Sequence, residues 1–195
     1  MKSGKSTKKK ILAQALKMFT SKSYNKVTVA DIASEVPEIH KSAIFYHFKT
    51  KLNLAHQTII YLWKQLNPFN KEGYQKIETP LEKLGFIVDQ MLTVIKDYPN
   101  LVGFFIEIIE EDKESKKSFD PMLQIFDKFG EVIVKILIEC GVANPKARML
   151  VMLSSLDGFA LYGEIMRSNP KVMEMFGVNM IEEYRDELIA MVLSR

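Results

Sequence analysis

Thr28-Val29-Ala30-Asp31-Ile32-Ala33-Ser34-Glu35-Val36-Pro37-Glu38-Ile39-His40-Lys41-Ser42-Ala43-Ile44-Phe45-Tyr46-His47-Phe48 decides the fold. Thr28 and Asp31 have the spacing of an N-cap hydroxyl and a third-position carboxylate, a capping box with Asp in place of Glu. The helix they open ends near Val36, because Pro37 disfavours helical backbone in the residue before it. A second short helix follows over about 41–48. Two short helices joined by a tight turn, the second opening on a basic residue, predict a helix-turn-helix. In that motif the second helix lies in the major groove, with its first side chains at the base edges, while the first helix crosses the backbone. His40, Lys41, Ser42 and Ala43 occupy that position. Small Ser42 and Ala43 let the helix sit deep, and His40 and Lys41 supply donors.

Outward from this motif the chain reads as helices. Upstream, Ile11, Leu12, Ala15, Leu16 and Phe19 share one face of a helix over about 7–20. Downstream, Leu52, Ala55, Ile59, Leu62, Trp63 and Leu66 line a fourth helix that ends at Asn67-Pro68. Ile32, Ile44 and Phe48 are core positions holding the small module together. A polar loop over 70–78 separates this part from a larger body. There, Thr79-Pro80, Asp120-Pro121 and Asn144-Pro145 each place a capping side chain before a first-turn proline and open helices. These run to about residues 98, 141 and 168. Another helix covers 101–110, and a last one covers about 179–193. No run alternates with period two, so the predicted fold class is all-α. An N-terminal helix-turn-helix module over 1–50 is joined to a larger helical bundle over 51–195.

Charge divides the chain in the same place. Residues 1–51 hold eleven lysines against Asp31, Glu35 and Glu38, a local charge of +8; the whole chain is +3, so the remainder carries −5. A basic module on an acidic body suits a protein of which one end meets a polyanion. Hydrophobic residues are 47% and charged residues 26% of the chain, ordinary for a globular protein. A lone Cys140 excludes a disulfide framework and a Cys-rich zinc site. No apolar run is long enough to span a bilayer. The Lys-rich start does not read as a secretory signal. The expected location is cytoplasmic.

The body carries no phosphate-binding glycine loop and no Ser-His-Asp set, and no histidine lies outside positions 40, 47 and 56. The expectation is a binding protein rather than an enzyme, without cofactor or metal. Pliable apolar residues are spread over its helices: Phe86, Met91, Phe104, Phe105, Ile108, Phe126, Phe129, Met149, Met152, Phe159, Tyr162 and Met166, with Trp63 on the linking helix. Met and Phe adapt to variable guests, and bundle helices commonly enclose ligand sites. Gly85, Gly103, Gly158 and Gly163 interrupt helical runs at about 1 kcal/mol each relative to Ala, which suits close helix contacts or room for a ligand. Glu107, Asp157 and Glu164 are the carboxylates nearest this set. The acidic run Glu107, Glu110, Glu111, Asp112 and Glu114 reads as a solvated helix end.

Three blocks in order, 11–19, 28–33 and 44–51, resemble the TetR (tetracycline repressor) family of regulators. They read Ile-Leu-Ala-Gln-Ala-Leu-Lys-Met-Phe, Thr-Val-Ala-Asp-Ile-Ala and Ile-Phe-Tyr-His-Phe-Lys-Thr-Lys. The family's Gly-Val-Ser-x-Gly turn is replaced by Pro37-Glu38-Ile39-His40-Lys41-Ser42, one residue longer, with His40 where a capping Ser is usual. The resemblance implies that Lys41, Ser42, Ala43 and Phe45 face bases, with His40 at the same helix start. It implies that Tyr46, His47 and Lys51 bind phosphate. Thr28 would set the second helix's N-terminus against a phosphate, with Lys26 beside it. It further implies a homodimer built by the last two helices, through Leu150, Leu153, Leu156, Ala160, Leu161, Ile181, Leu188, Ile189 and Val192. The implied function is a repressor released from operator DNA by a small apolar effector that shifts the fourth helix. A fatty acid or acyl-CoA is the first expectation and an aromatic cation the second. The competing expectation is an effector-independent DNA-binding or nucleoid/division factor of the same fold.

Overall fold

The computed structural model describes residues 2–37, 39–66, 69, 72–115, 120–169, 171, 174 and 180–194. Among these residues there is no strand, and no helix is long and apolar enough to cross a membrane. The elements are α1 (Lys2–Ser21), a 3-10 turn (Tyr24–Lys26), α2 (Val29–Ser34), α3 (Lys41–Phe48), α4 (Lys51–Leu66), α5 (Glu72–Gln75), α6 (Pro80–Asp97), α7 (Leu101–Ser115), α8 (Asp120–Glu139), α9 (Pro145–Ser168) and α10 (Met180–Leu193). They group into two compact units, Met1–Gln65 with Asn100–Gln124, and Leu66–Pro99 with Ile125–Arg195. This division by packing does not fall at the 50/51 boundary expected for the functional modules. It assigns α4 and α7 to the unit that holds the helix-turn-helix.

In the first unit α1 buries the predicted stripe of Ile11, Leu12, Ala15, Leu16 and Phe19. Phe19 stacks on Phe104 of α7 with ring centroids 5.0 Å apart and meets Tyr24 edge-on at 5.2 Å. The capping box of α2 forms as read. The Asp31 amide donates to Thr28 Oγ1 at 3.1 Å, and the Thr28 amide donates to Asp31 Oδ2 at 2.8 Å. Ile32, Ile44 and Phe48 are buried and join α2 and α3 to α1. After α3, Asn53 Nδ2 donates to the Phe48 carbonyl at 2.7 Å, and Thr50 Oγ1 accepts from the Asn53 amide. The chain therefore turns directly into α4 with its helix-end groups satisfied.

Two helix bounds differ from expectation. α1 begins at Lys2 rather than near residue 7, the helix propensity of its lysines outweighing Gly4, Ser3, Ser6 and the cost of cations at a helix N-terminus. α7 continues to Ser115 because Glu, Asp and Lys also propagate a helix, and three of its carboxylates find partners in the same unit, as described below. A short helix, α5, lies within the segment expected to be loop.

The second unit is built on Leu84, Ile87 and Val88 of α6, Phe129, Ile133, Ile136 and Leu137 of α8, Met152, Leu156 and Ala160 of α9, and Leu188 and Val192 of α10. Thr79 caps α6 with Pro80 in its first turn, as the sequence predicts. α8 ends where Gly141 takes φ +75°. Its amide reaches the Ile138 carbonyl, and that of Val142 reaches Leu137, a Schellman closure that needs a residue tolerating left-handed backbone. Arg185 of α10 clamps Asp89 of α6 through Nε at 2.6 Å and Nη2 at 3.3 Å. A Cβ on Gly85 would stand 3.0 Å from that guanidinium, so the glycine clears the path of the arginine. Arg148 of α9 donates to the Met191 and Ser194 carbonyls and closes the end of α10.

Candidate nucleic-acid interface

α3 presents two faces fixed by helical spacing. Ile44 and Phe48, four residues apart, are buried, and their burial turns the remaining side chains outward. His40, Lys41 and Ser42 are exposed at the start of the helix. Ala43 and His47 are half-buried, Phe45 is 39% exposed and Tyr46 is 74% exposed. The Tyr46 ring thus stands in water on a helix whose other face is packed. Lys41 Nζ lies 5.7 Å from the Phe45 ring centroid and Lys49 Nζ lies 5.4 Å from that of Tyr46. Between Ile39 and Leu66 the sequence has no carboxylate, so α3 and α4 themselves contribute only positive charge. His40 caps α3 only through its extended backbone, with no side-chain hydrogen bond, so its imidazole is not consumed by the cap.

The remaining predicted contacts are placed less freely. Lys26 is exposed beside Thr28, but the Thr28 hydroxyl and amide are both engaged with the Asp31 carboxylate. That hydroxyl, and then that amide, hold the Asp31 carboxyl below its ordinary range. Lys51 is half-buried. Its ammonium donates to the Tyr24 carbonyl at 2.8 Å and sits 3.9 Å from the centroid of that ring. Burial lowers its pKa, against the opposing pull of Glu111 and Glu107. Lys51 thus ties the start of α4 to the 3-10 turn.

Behind this surface α7 grips the same unit. Phe104 and Ile108, one turn apart, are fully buried. Beside them the Ser23 hydroxyl donates to Glu107 Oε1 at 2.5 Å, the Tyr24 hydroxyl donates to Glu111 Oε2 at 2.6 Å, and His56 Nε2 pairs with Asp112 Oδ2 at 2.9 Å. Asn100 Nδ2 adds a bond to the Lys22 carbonyl at 3.3 Å. Burial, then the Glu111 bond, holds the Tyr24 hydroxyl protonated far above its ordinary pKa. The reading of the acidic run as a solvated end is therefore corrected for Glu107, Glu111 and Asp112, while Glu110 is exposed as expected. Their partners lie dozens of residues away, a pairing that helical spacing does not encode. Ser23, Tyr24, His56 and Asn100 were missed for the same reason.

The residues expected to hold an effector fall in both units. Trp63, Phe104, Phe105 and Ile108 belong to the first unit. Phe86 and Met91 are half-buried on α6, Phe129 and Met152 are buried in the second core, and Phe159 stacks on Tyr184 at 4.2 Å. Phe126 is 46% exposed and Tyr162 is 62% exposed, while the side chain of Met166 lies outside the described residues. Neither of two surface clefts, one between α1 and α4 and one between α6 and α10, is lined by any of these residues. An aromatic set does form in the second unit, where Phe69 contacts Tyr74 at 5.4 Å and Phe129 at 5.6 Å, and Tyr74 contacts Phe86 at 6.0 Å. Tyr74 gave no periodic signal because α5 is only four residues long, too short to show helical spacing.

Residues 11–58 match the family model of bacterial regulatory proteins of the TetR family. Among curated proteins nothing matches the chain. Solved structures share the fold along nearly the whole length. A transcriptional regulator from Saccharomonospora viridis in complex with choline is 16% identical, with TM-score 0.76 over 98% of this chain and 97% of that one. The fatty acid degradation regulator FadR from Bacillus halodurans is 11% identical, with TM-score 0.67 over 93% and 94%. AibR in complex with isovaleryl coenzyme A and operator DNA is 15% identical, with TM-score 0.65 over 93% and 95%.

Proposed function

We propose that this chain, a TetR-family protein by its residues 11–58, is a homodimeric repressor whose hold on operator DNA is released by a small apolar effector. The observation that carries the reading is the grip of α7. A helix beyond the DNA-binding domain in sequence is bonded to that domain through Ser23 and Tyr24, and to α4 through His56. A ligand that binds two conformations unequally shifts their populations, and α7 gives such a shift a direct hold on the 3-10 turn and α4.

In this reading Lys41, Ser42, Ala43 and Phe45 meet base edges and His40 stands at the same groove. Tyr46, His47, Lys26 and the unused donors of Lys51 meet phosphates, with the start of α2 at Thr28 beside them. Phe45 lacks a hydroxyl, so its ring suits a thymine methyl. Two such helices in a dimer fit half-sites about 34 Å apart.

The dimer reading is supported by apolar surface on α9 and α10. Leu150, Val151, Leu161, Tyr162, Ile181 and Met191 are each 38% exposed or more. Leu156, Ala160, Leu188 and Val192, expected in the interface, are instead buried within one chain and hold its own helices together.

An acyl effector is favoured by the apolar lining of the body. FadR, a fatty acid degradation regulator, and AibR, seen with isovaleryl coenzyme A, have the same fold. The ring set of Phe69, Tyr74, Phe86 and Phe129 favours a second class, a cation held against aromatic faces. The test is a mobility shift on DNA selected by the protein, over a salt series, with isovaleryl-CoA, palmitoyl-CoA and choline added in turn. Salt-sensitive specific binding relieved by one of them is expected. Specific binding that none of them alters would favour the effector-independent alternative, and salt-insensitive or absent binding would remove the DNA-binding reading altogether.

A further inference from the structure

We infer that the cleft between α1 and α4 is a binding site for a medium-chain alkyl carboxylate, separate from any effector site in the body. Its lining comes from one face of each helix: Lys8, Lys9 and Leu12 of α1, and Tyr61, Lys64 and Gln65 of α4. Leu12, 7% exposed, and the half-buried Tyr61 ring make an apolar floor, lengthened by the methylene stems of the lysines. Three of its six lining residues are lysines, of which Lys9 and Lys64 are exposed. Neither helix contains a carboxylate anywhere along its length, whereas together they carry eight lysines. Like charges gathered around an apolar floor repel one another, and an anion with a hydrocarbon tail relieves both the repulsion and the exposed floor.

Size narrows the class. The cleft holds about 320 Å³, at the lower end of the range for small-molecule sites. That volume suits an alkyl tail with a single charged head. Occupancy also reaches the buried face of α3. Lys8 Nζ lies 5.4 Å from the ring centroid of Phe48, the last residue of α3, so a carboxylate that draws this ammonium aside acts on the end of the recognition helix.

The test uses calorimetric titration of the full-length protein with sodium decanoate, without DNA, so that it stands apart from the operator reading. Decanol and decyltrimethylammonium are run beside it. Two variants are compared, Lys9→Gln with Lys64→Gln at the cleft, and Lys128→Gln with Lys146→Gln at exposed positions of the second unit. Circular dichroism confirms that both fold. Decanoate is expected to bind, more weakly in higher salt, and the cleft variant to lose about fivefold or more in affinity while the control keeps it. Decanol and the cationic analogue are expected to bind far less well. No decanoate binding overturns the inference. So does equal affinity in the cleft variant and the parent, which would put decanoate elsewhere, or binding of the uncharged and cationic analogues as tight as that of decanoate.

Discussion

Replacing Tyr24 with Phe removes one oxygen atom from the contact between α7 and the DNA-binding module. The ring keeps its neighbours, Phe19 at 5.2 Å and Phe104 at 6.0 Å, and the Lys51 bond to the backbone carbonyl survives. What is lost is the 2.6 Å hydrogen bond to Glu111. Hydrogen bonds to charged groups contribute about 1.5–3 kcal/mol. Glu111 is half-buried, so water recovers part of this and the lower end, about 1.5 kcal/mol, applies. In a chain of this size that lowers the melting midpoint by about 3–6 °C. The assay is thermal and urea unfolding of Tyr24→Phe, Glu111→Gln and the double variant, followed by far-UV circular dichroism. The two losses should overlap by about 1 kcal/mol, as expected for residues in contact. The same variant should narrow the difference in operator affinity with and without effector, a coupling of about 1–3 kcal/mol in allosteric proteins. A Tyr24→Phe protein that melts within about 1 °C of the parent, with additive effects in the double variant, would refute the argument that the carboxylates of α7 hold the module.

Three further outcomes are expected. Lys41→Ala should change the base sequence recovered by binding-site selection, whereas Lys51→Ala should weaken all sequences alike, reduce the salt slope by about one and also lower stability. An unchanged selected sequence for the Lys41 variant would move base reading elsewhere. Among the described residues, a Cβ on Gly158 would meet nothing within 4 Å beyond its own stretch of helix, so Gly158→Ala should stabilise a lone chain by up to about 1 kcal/mol. Gly158→Leu should push a partner helix away and yield monomers by light scattering; a stable dimer would put the interface on another face. Thr28→Ala should cost about 1 kcal/mol. Thr28 also holds the Asp31 carboxyl below its unfolded value, a separate contribution that is present above the ordinary Asp pKa and is lost as pH falls through the depressed one. The gap between parent and variant should therefore narrow across the acid range without closing, because the bond from the Asp31 amide to Thr28 Oγ1 does not titrate.

Local rules made much of the fold legible. The Thr28–Asp31 box, the Thr79-Pro80 start, the Gly141 stop and the apolar stripe of α1 all involve residues within a few positions of each other, and each forms as read. The outward face of α3 was legible for the same reason, since burying Ile44 and Phe48 leaves only one way for Lys41, Ser42, Phe45 and Tyr46 to point. Lys51 shows where such reasoning stops. Its place after α3 matches a phosphate-binding position, and nothing local announces that the Tyr24 carbonyl and ring hold it.

The sequence by itself determined an all-α chain with a basic helix-turn-helix module at its start, because helix periodicity, caps and charge are properties of neighbouring residues. Only the tertiary structure decided which unit each helix joins and what each polar side chain meets. Glu107, Glu111 and Asp112 look in sequence like any solvated acidic end; they become a grip because the chain returns after more than fifty residues to lay α7 on Ser23, Tyr24 and His56. Likewise Leu188 and Val192 have the apolar character of an interface, and packing within one chain consumed them, leaving Leu150, Leu161 and Tyr162 in solvent. Hydrophobicity specifies that a side chain leaves water, but not which surface it leaves water to join; that choice is made by shape and by contacts between residues far apart in the chain.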